Sequence, residues 1–264
     1  MNNCDTFLGI YSDISQYGQE SAPRGQKIIE IENYMVDINP MDPCTSFEDR
    51  KFNLQYAKDE FVWYLGADRF DLSIMSKAGT WKTLVDVDGG FNSNYGVYIF
   101  GQGQFQWCYD ELIRDMSSRR AVILLAHRGQ VRLDNPDHIC TYAISFRIRN
   151  NILGMSVRMR SWDAIFGMTN DVFAFALVHQ MMHAKLRDFY PGLQIGDYNH
   201  VADSIHVYER HFDMLQNIIK KSRAGWSQIH IPRIVSGAEV DLIINARGKL
   251  VEESAFSSWL HEKG

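Results

Sequence analysis

The sequence lacks the features that mark membrane, secreted or nucleic-acid-coating proteins. No apolar run is long enough to cross a bilayer, and the opening residues "MNNCDTFLGIYSD" lack the basic segment of a signal peptide. The four cysteines form no CxxC pair, which argues against a structural zinc site or a redox pair. The formal net charge of −5 argues against general binding to nucleic acid or membranes, although a local basic cluster can still hold a small anion. We therefore expect a cytoplasmic protein with free thiols.

Linkers and repeats are also absent from the sequence. The six prolines are scattered, and no Pro/Gly/Ser-rich or low-complexity segment divides the chain. A chain of 264 residues with 45% hydrophobic content can bury a large core. We expect residues 1–264 to form a single domain.

Hydrophobic periodicity predicts helices and strands in mixed order. The predicted helices cover residues 56–68, 105–118 and 171–187, and a further stretch, 196–211, is predicted to be a strand followed by a helix. The predicted strands cover residues 26–38, 119–127, which we expect to be buried, and 239–246, "EVDLIINA". Because no regular βαβ alternation is present, we predict an α+β fold with a mixed sheet flanked by helices.

The clearest local pattern is a hairpin in "CTYAISFRIRNNILGMSVRMRS", residues 140–161. Two period-two runs flank Asn150 and Asn151, which are typical of a two-residue turn. In that register Cys140 lies opposite Ser161 and next to Arg160.

This pairing makes Cys140 a candidate nucleophile. A neighbouring guanidinium favours the thiolate over the thiol, and the thiolate is the reactive form. The alternative is a buried, inert cysteine, which is common. Cys44 in "MDPCTS" is a rival on local sequence but has no identifiable strand partner.

Arginines provide a candidate anion site. Arg119 and Arg120 adjoin in "SSRR", Arg160 lies beside Cys140, and Arg24 lies in a short "PRGQK" loop. Guanidinium groups bind phosphate through paired hydrogen bonds, so these residues could converge on one phosphate. Taken singly, each is better explained as a solvated surface charge.

Several other polar residues have two interpretations. Glu60 in "KDEFVW" is either a partly buried carboxyl with a raised pKa, suited to proton transfer, or an exposed helix residue. His206 and Tyr208 in "SIHVY" share one strand face and either bind a sugar or pack. Asp171 in "TND" precedes an apolar run and is explained locally as a helix cap.

The segment "HQMMH" is close to the HExxH zinc motif, with His179 and His183 on one helical face. Gln180 replaces the glutamate that the motif needs as a general base. Since the surrounding run is apolar on all sides, we predict a core helix and no metal.

Taken in order, these motifs resemble the thymidylate synthase superfamily, specifically its phage deoxycytidylate (dCMP) hydroxymethylase branch. The resemblance covers about residues 24–212 and rests on Glu60, Trp81, "NSNYG", "SSRR", Cys140, "RSWD", "GxxND" and "HxY". It implies an α+β fold whose sheet face forms a homodimer, and one-carbon transfer from 5,10-methylenetetrahydrofolate to carbon 5 of a pyrimidine nucleoside monophosphate.

The resemblance also implies a role for each matching residue. Cys140 matches the nucleophile that adds to carbon 6, Glu60 the acid/base glutamate, and Asp171 the residue that reads the base. The implied phosphate ligands are Arg24, Arg160, Ser161 and, donated across the dimer, Arg119 and Arg120. The implied sugar, pocket and folate residues are His206 and Tyr208, Tyr95, and Trp81, Asp163 and Gly167, respectively.

Three departures from the synthases favour a dCMP hydroxymethylase that adds water instead of hydride. Thr141 stands where synthases carry histidine, Asp171 stands where they read uracil with asparagine, and the final "SSWLHEKG" lacks their hydrophobic tail. The alternatives are a CMP hydroxymethylase of antimetabolite biosynthesis, a thymidylate synthase proper, and a catalytically silent relative that binds nucleotides or RNA.

Overall fold

The computed structural model describes residues 2–263. A seven-stranded mixed sheet has the order β1-β2-β8-β6-β5-β4, with β7 pairing β8 outside that order. Its strands are β1 Gln19–Ser21, β2 Ile28–Ile38, β4 Val122–Leu124, β5 Thr141–Arg149, β6 Ile152–Met159, β7 Trp162–Asp163 and β8 Gln194–Tyr208. Strands β6 and β7 run parallel to β8, and the other pairs are antiparallel. A separate two-stranded sheet joins β3 Thr45–Phe47 to β9 Trp226–Gln228.

Seven α-helices flank the sheets within the described residues. They are α1 Asn3–Tyr17, α2 Leu54–Gly66, α3 Gln104–Arg114, α4 Gly167–Phe189, α5 Phe212–Lys221, α6 Gly237–Asn245 and α7 Ala255–His261. Helix α4 is buried along most of its length, as its all-round apolar sequence predicts, and it contacts α2, α3, α6 and β8. The predicted mixed α+β architecture is confirmed. Between Asn2 and Lys263, no helix is long and apolar enough to span a membrane.

The predicted hairpin is confirmed, but its register changes near the site. Asn150 and Asn151 have φ values of 51° and 59°, as a tight turn between twisted strands requires. The predicted pairing holds from Ala143 to Arg149, and a bulge then shifts the register at Thr141. As a result, the carbonyl of Cys140 accepts a hydrogen bond from the backbone N–H of Arg160, at 2.8 Å, and the predicted partner Ser161 is displaced by one residue.

The strand predicted for residues 239–246 is wrong, because this segment is the helix α6. Ser236 caps it by accepting a hydrogen bond from the backbone N–H of Glu239. Val240 and Ile243 are buried three residues apart, which is helical spacing, and α6 packs against α4. Tertiary packing and the cap therefore outweigh the strand propensity of the valine and isoleucines.

Two further boundaries differ from the sequence-based expectation. Strand β4 has only three residues, lies at the sheet edge and is buried on one face, with Ile123 buried and Leu124 60% exposed, rather than buried throughout. Helix α4 begins at Gly167, four residues before Asp171. Asp171 therefore lies in the second turn of the helix, and its local interpretation as a cap is wrong.

Candidate active site

Most of the side chains singled out from the sequence line one cavity. It has a volume of about 380 Å³ and is bounded by α2, the start of α4 and the sheet. The predicted site residues among those that line it are Glu60, Trp81, Tyr95, Cys140, Ser161, Asp163, Gly167, Asp171, His206 and Tyr208. Residues more than 140 positions apart in the chain thus meet at one site.

Cys140 lies directly before β5, at the bulge. The guanidinium of Arg160 donates from Nε to the carbonyl of Ile139 at 3.0 Å and from Nη2 to the carbonyl of His138 at 2.7 Å. Burial raises the pKa of the Cys140 thiol, and the positive charge of Arg160 opposes that shift without reversing it. The predicted depression of this pKa is therefore wrong: the resting group is a thiol, because desolvation outweighs the cation.

Glu60 lies on α2, which begins where Asn53 accepts a hydrogen bond from the backbone N–H of Tyr56. The side chain is only 8% exposed, and it accepts a hydrogen bond from the hydroxyl of Tyr56 at 2.7 Å. Burial raises the pKa of Glu60 to about 7, although the Tyr56 hydrogen bond lowers it. The buried, proton-transferring interpretation of this residue is thus favoured over an exposed helix glutamate.

Asp171 projects from the second turn of α4 toward the same cavity. Burial raises the pKa of its carboxyl well above the ordinary range, and the nearby charge of Glu60 raises it further. This shift favours the protonated form, a neutral carboxylic acid, which offers one hydrogen-bond donor and one acceptor group.

His206, Tyr208 and Ser161 form the side of the cavity that lies against the sheet. The rings of His206 and Tyr208 meet edge to face with centroids 5.0 Å apart, on the single strand face that period-two alternation predicts. Strand β7 pairs Asp163 with His206 and so brings a carboxyl next to the imidazole. Burial lowers the pKa of His206, and the charge of Asp163 opposes this.

None of the four predicted arginines is among the residues that line the cavity. Arg119 and Arg120 are exposed and line a separate depression of about 840 Å³ together with Glu111 and Arg114. Arg24 is exposed in a loop, with a left-handed φ of 54°, and its charge favours the thiolate of Cys140. Within one chain, Arg119 and Arg120 do not converge with Arg160.

The sequence interpretation assigned no role to several cavity residues, of which five carry polar groups: Tyr56, Tyr64, Thr80, Ser93 and Asn170. Tyr56 and Tyr64 lie four residues before and after Glu60 on α2, so helical periodicity places them on its face. Tyr64 also stacks on Tyr95, with ring centroids 5.5 Å apart. The four-residue spacing from Glu60 was the sequence pattern that could have identified Tyr56 and Tyr64.

Cys44, the alternative candidate nucleophile, and the two histidines of "HQMMH" lie outside the cavity. Cys44 is fully buried, and burial raises the pKa of its thiol. In α4, Nε2 of His179 and Nε2 of His183 lie 3.1 and 2.9 Å from the carbonyl oxygens of Leu153 and Leu193, as expected for a core helix. In the part of the chain that the structure describes, no group of three or more His, Cys, Asp or Glu side chains could hold a metal.

Comparison with known proteins gives a consistent result. A sequence model described as thymidylate synthase matches residues 5–243. The deoxyuridylate hydroxymethyltransferase of Bacillus phage SP01 is 27% identical over 220 residues, which span 76% of this chain but only 56% of that protein. The deoxycytidylate 5-hydroxymethyltransferase of Enterobacteria phage T6 is 28% identical over 192 residues, or 66% of this chain and 78% of that protein. Its counterpart in Enterobacteria phage T4 is 27% identical over 179 residues, or 62% and 71%.

The family match extends through the sheet, α2, α4 and the cavity between them. The resemblance inferred from the motifs is therefore confirmed. The chain belongs to the thymidylate synthase family of one-carbon transferases.

Proposed function

We propose that this protein is a deoxycytidylate 5-hydroxymethyltransferase. It would transfer a one-carbon unit from 5,10-methylenetetrahydrofolate to carbon 5 of dCMP and add water, giving 5-hydroxymethyl-dCMP and tetrahydrofolate. The observation that carries this proposal is the carboxyl of Asp171, whose raised pKa favours the protonated form, in the cavity that also holds Cys140 and Glu60. The T6 and T4 relatives, described as deoxycytidylate 5-hydroxymethyltransferases, support it.

Asp171 has the groups needed to read cytosine. Its O–H can donate to the bare ring nitrogen N3, and its carbonyl oxygen can accept from the exocyclic amine. When a nucleophile adds to carbon 6, negative charge develops on N3, and the Asp171 proton can neutralise it. Uracil already carries a hydrogen on N3 and develops its charge on the carbonyl oxygen O4.

Cys140 is the proposed nucleophile. Its thiol gives its proton to solvent water as the Sγ–C6 bond forms. The electron pair of the C5–C6 double bond moves toward N3, which takes the proton of Asp171, and C5 becomes nucleophilic. Arg160 beside it favours the thiolate. At the end of the cycle the Sγ–C6 bond breaks, the electron pair returns to sulfur and N3 returns its proton to Asp171.

Glu60 is the proposed proton acceptor for water. With its pKa raised to about 7, about half of this carboxyl is ionised near neutral pH. Before water adds, C5 would lose its hydrogen as a proton, and the bond between the methylene carbon and the folate nitrogen would break, its electron pair and a proton going to that nitrogen. Glu60 can then take a proton from water while the water oxygen bonds to the methylene carbon attached to C5. The result is a hydroxymethyl group on the pyrimidine.

The cavity also suits the folate co-substrate. Trp81 and Phe166 provide flat aromatic surfaces for a ring system, Leu84 adds an aliphatic one, and Asp163 provides a carboxyl group for ring N–H donors. One Asp163 oxygen, Oδ1, already accepts from the backbone N–H of Ile165 at 3.0 Å, which leaves Oδ2 for the ligand. When bound, 5,10-methylenetetrahydrofolate supplies the one-carbon unit. Gly167 lines the same cavity, where an added Cβ would make ordinary van der Waals contact with the Asp171 carboxyl at 3.5 Å.

The phosphate site is proposed to be completed by a second copy of the chain. Ser161, Arg160 and Arg24 lie at or near the cavity, and His206 and Tyr208 would bind the sugar. In the proposed homodimer, built on the sheet face, Arg119 and Arg120 would reach the partner's phosphate site. Their exposure and their distance from their own cavity support this arrangement.

Deoxyuridylate is the second candidate substrate. The SP01 relative is described as a deoxyuridylate hydroxymethyltransferase. A neutral carboxyl can also meet uracil, by donating to O4 and accepting from the ring N–H. What distinguishes the bases is the proton transfer to N3, which only cytosine can receive.

The test is a side-by-side assay of dCMP, dUMP and CMP with the folate, with products identified by mass spectrometry. We expect dCMP to gain CH₂O most rapidly and the folate to return as tetrahydrofolate. A faster reaction with dUMP or CMP would contradict the proposed substrate. A methylated product with dihydrofolate would indicate a synthase, and binding without any product would indicate a silent relative.

A further inference from the structure

The hydroxyl of Tyr56 connects two of the cavity residues. It donates a hydrogen bond to Glu60 Oε1 at 2.7 Å and accepts one from Trp81 Nε1 at 2.9 Å. All three side chains line the cavity. Tyr56 and Glu60 are one helical turn apart on α2, whereas Trp81 comes from the segment Gly79–Thr83.

The direction of this chain of hydrogen bonds is fixed. An indole N–H can only donate, so it occupies a lone pair of the Tyr56 oxygen and leaves the O–H for Glu60. Trp81 is itself held by edge contacts with Trp63 and Phe91, at centroid distances of 5.1 and 5.4 Å. Burial raises the pKa of Tyr56, so the hydroxyl keeps its proton. Tyr56 is therefore a permanent donor to Glu60.

This arrangement makes the two oxygens of Glu60 unequal. Among residues 2–263, Tyr56 is the only hydrogen-bond partner of the Glu60 side chain. Oε1 is engaged, and Oε2 is the oxygen left for proton transfer in the cavity.

We propose that Tyr56 is the positioning residue of Glu60, holding Oε1 so that Oε2 faces the reacting water and stabilising the ionised carboxylate. This inference rests on the proposed function, in which Glu60 accepts a proton from water. Trp81 contributes indirectly, because its N–H orients the Tyr56 hydroxyl.

The pKa of Glu60 reports this role. Burial raises it to about 7, and the Tyr56 hydrogen bond opposes the rise because it favours the ionised form. The other titratable side chains that line the cavity are Tyr64, Tyr95, Cys140, Asp163, Asp171, His206 and Tyr208. All of them remain when Tyr56 is replaced by phenylalanine, so that substitution isolates the hydrogen bond.

The test is the pH dependence of hydroxymethylation by Tyr56→Phe. Losing a charge-assisted hydrogen bond should move the acidic limb of the kcat profile upward by about one pH unit. At pH 7 the rate should fall about five-fold and recover above about pH 8, because the ionised fraction recovers. The KM for dCMP should change by less than about two-fold, since no proposed substrate contact is lost.

Tyr34→Phe is the matched control. It removes another tyrosine-to-carboxylate hydrogen bond, from Tyr34 to Asp13 at 2.7 Å, outside the cavity. Its kcat profile should keep the wild-type limb, and thermal unfolding should show that both variants are folded. An unchanged acidic limb in Tyr56→Phe, or a loss of rate that is equal at every pH, would overturn the positioning role.

A second measurement separates this inference from the proposed function. The Glu60 carboxyl carbon can be titrated by carbon-13 NMR, with its signal assigned by its loss in Glu60→Gln. Tyr56→Phe should raise this pKa by about one unit whether or not the protein turns over dCMP. An unshifted pKa overturns the role of Tyr56. An inactive wild-type protein with a shifted pKa would overturn only the proposed function.

Discussion

Glu60 and Glu111 show how two buried glutamates on helices acquire opposite properties. Glu60 is 8% exposed and faces the cavity, whereas Glu111 is 6% exposed and lies in the arginine cluster, defined here as Glu111, Arg114, Ser118, Arg119 and Arg120. Burial raises the pKa of Glu60. Hydrogen bonds from Ser118 and Arg114 hold the pKa of Glu111 below its usual range. Exposure alone therefore does not predict the charge of a carboxyl.

The difference lies in the depth at which each carboxyl group is buried and in its hydrogen-bond partners. Ser118 Oγ donates to Glu111 Oε1 at 2.7 Å, and Arg114 Nε donates to Oε2 at 3.1 Å, so both oxygens are satisfied and the charge is neutralised. Glu60 has a single neutral donor and no cation among its hydrogen-bond partners. A carboxylate whose two oxygens both accept hydrogen bonds is suited to a structural role. A carboxyl group with one oxygen free is suited to exchanging protons.

The largest effect is expected from replacing a cysteine in the cavity, compared with replacing a buried cysteine outside it. Cys140→Ser should lower the release of tritium from carbon 5 of labelled dCMP by about 10⁴-fold, because the nucleophile that starts the reaction is lost. Cys108→Ala, a buried cysteine outside the cavity, should keep its activity once folding is verified. Undiminished release by Cys140→Ser would disprove the nucleophile assignment.

The next effect concerns the second cavity carboxyl. Asp171→Asn should shift the ratio of kcat/KM for dCMP over dUMP toward dUMP by about 100-fold, since an amide cannot protonate N3 of cytosine. Competition between the two nucleotides, with products separated by mass, measures the ratio directly. If the preference stays unchanged, Asp171 does not read the base.

A smaller effect tests the comparison of the two glutamates through stability. The folded-state pKa of Glu60 is about 7 and its ordinary value is 4.5, so the folded protein binds more protons between these values. The free energy of unfolding should therefore fall by about 2 kcal/mol as pH rises from about 5 to about 7. Denaturant titrations at each pH should show that Glu60→Gln removes this fall.

Glu111→Gln is the counterpart with the opposite sign. Because the pKa of Glu111 is lowered, its carboxylate stabilises the fold above the ordinary pKa, and this contribution is lost as pH falls. The variant should be less stable than wild type at neutral pH and should approach it in acid. Equal pH slopes for both variants would contradict the contrast drawn between the two sites.

The smallest expected effect is a change in KM, which tests whether the arginine cluster binds the phosphate of the nucleotide in a partner's cavity. Arg120→Ala should raise the KM for dCMP about ten-fold through a lost phosphate contact. Mixing this variant with Cys140→Ser and allowing subunits to exchange should restore about a quarter of wild-type activity. Half of the random dimers are mixed, and each mixed dimer has one intact site. Absence of recovery, with exchange verified by mass, would contradict donation across a dimer.

The parts of the fold predicted from sequence are those set by local patterns. The hairpin around Asn150 and Asn151, helix α2 and the shared face of His206 and Tyr208 all follow from periodicity and turn chemistry. The α6 segment was predicted wrongly because its short apolar run fits a strand or a helix equally well. Its Ser236 cap and its packing on α4 decided between them.

For the candidate site, the sequence predicted which residues belong to it, but it did not predict their pKa values, their hydrogen bonds or their exact strand register. The sequence predicted Cys140 as the nucleophile, Asp171 as a residue of the site and Arg119 and Arg120 as phosphate ligands, through motifs whose order resembles a known family. It could not show that the bulge moves Cys140 opposite Arg160, because one extra residue in a strand leaves the periodicity on either side intact.

Sequence by itself determined which chemical groups this chain carries, the helices and strands that follow from local spacing, and the family to which it belongs. Only the tertiary structure decided that burial raises the pKa values of Cys140 and Asp171, that Asp171 is not a helix cap, and that Tyr56 joins Trp81 to Glu60. The physical reason is that a pKa and a hydrogen bond depend on burial and on distances through space. Local sequence patterns carry neither of these quantities.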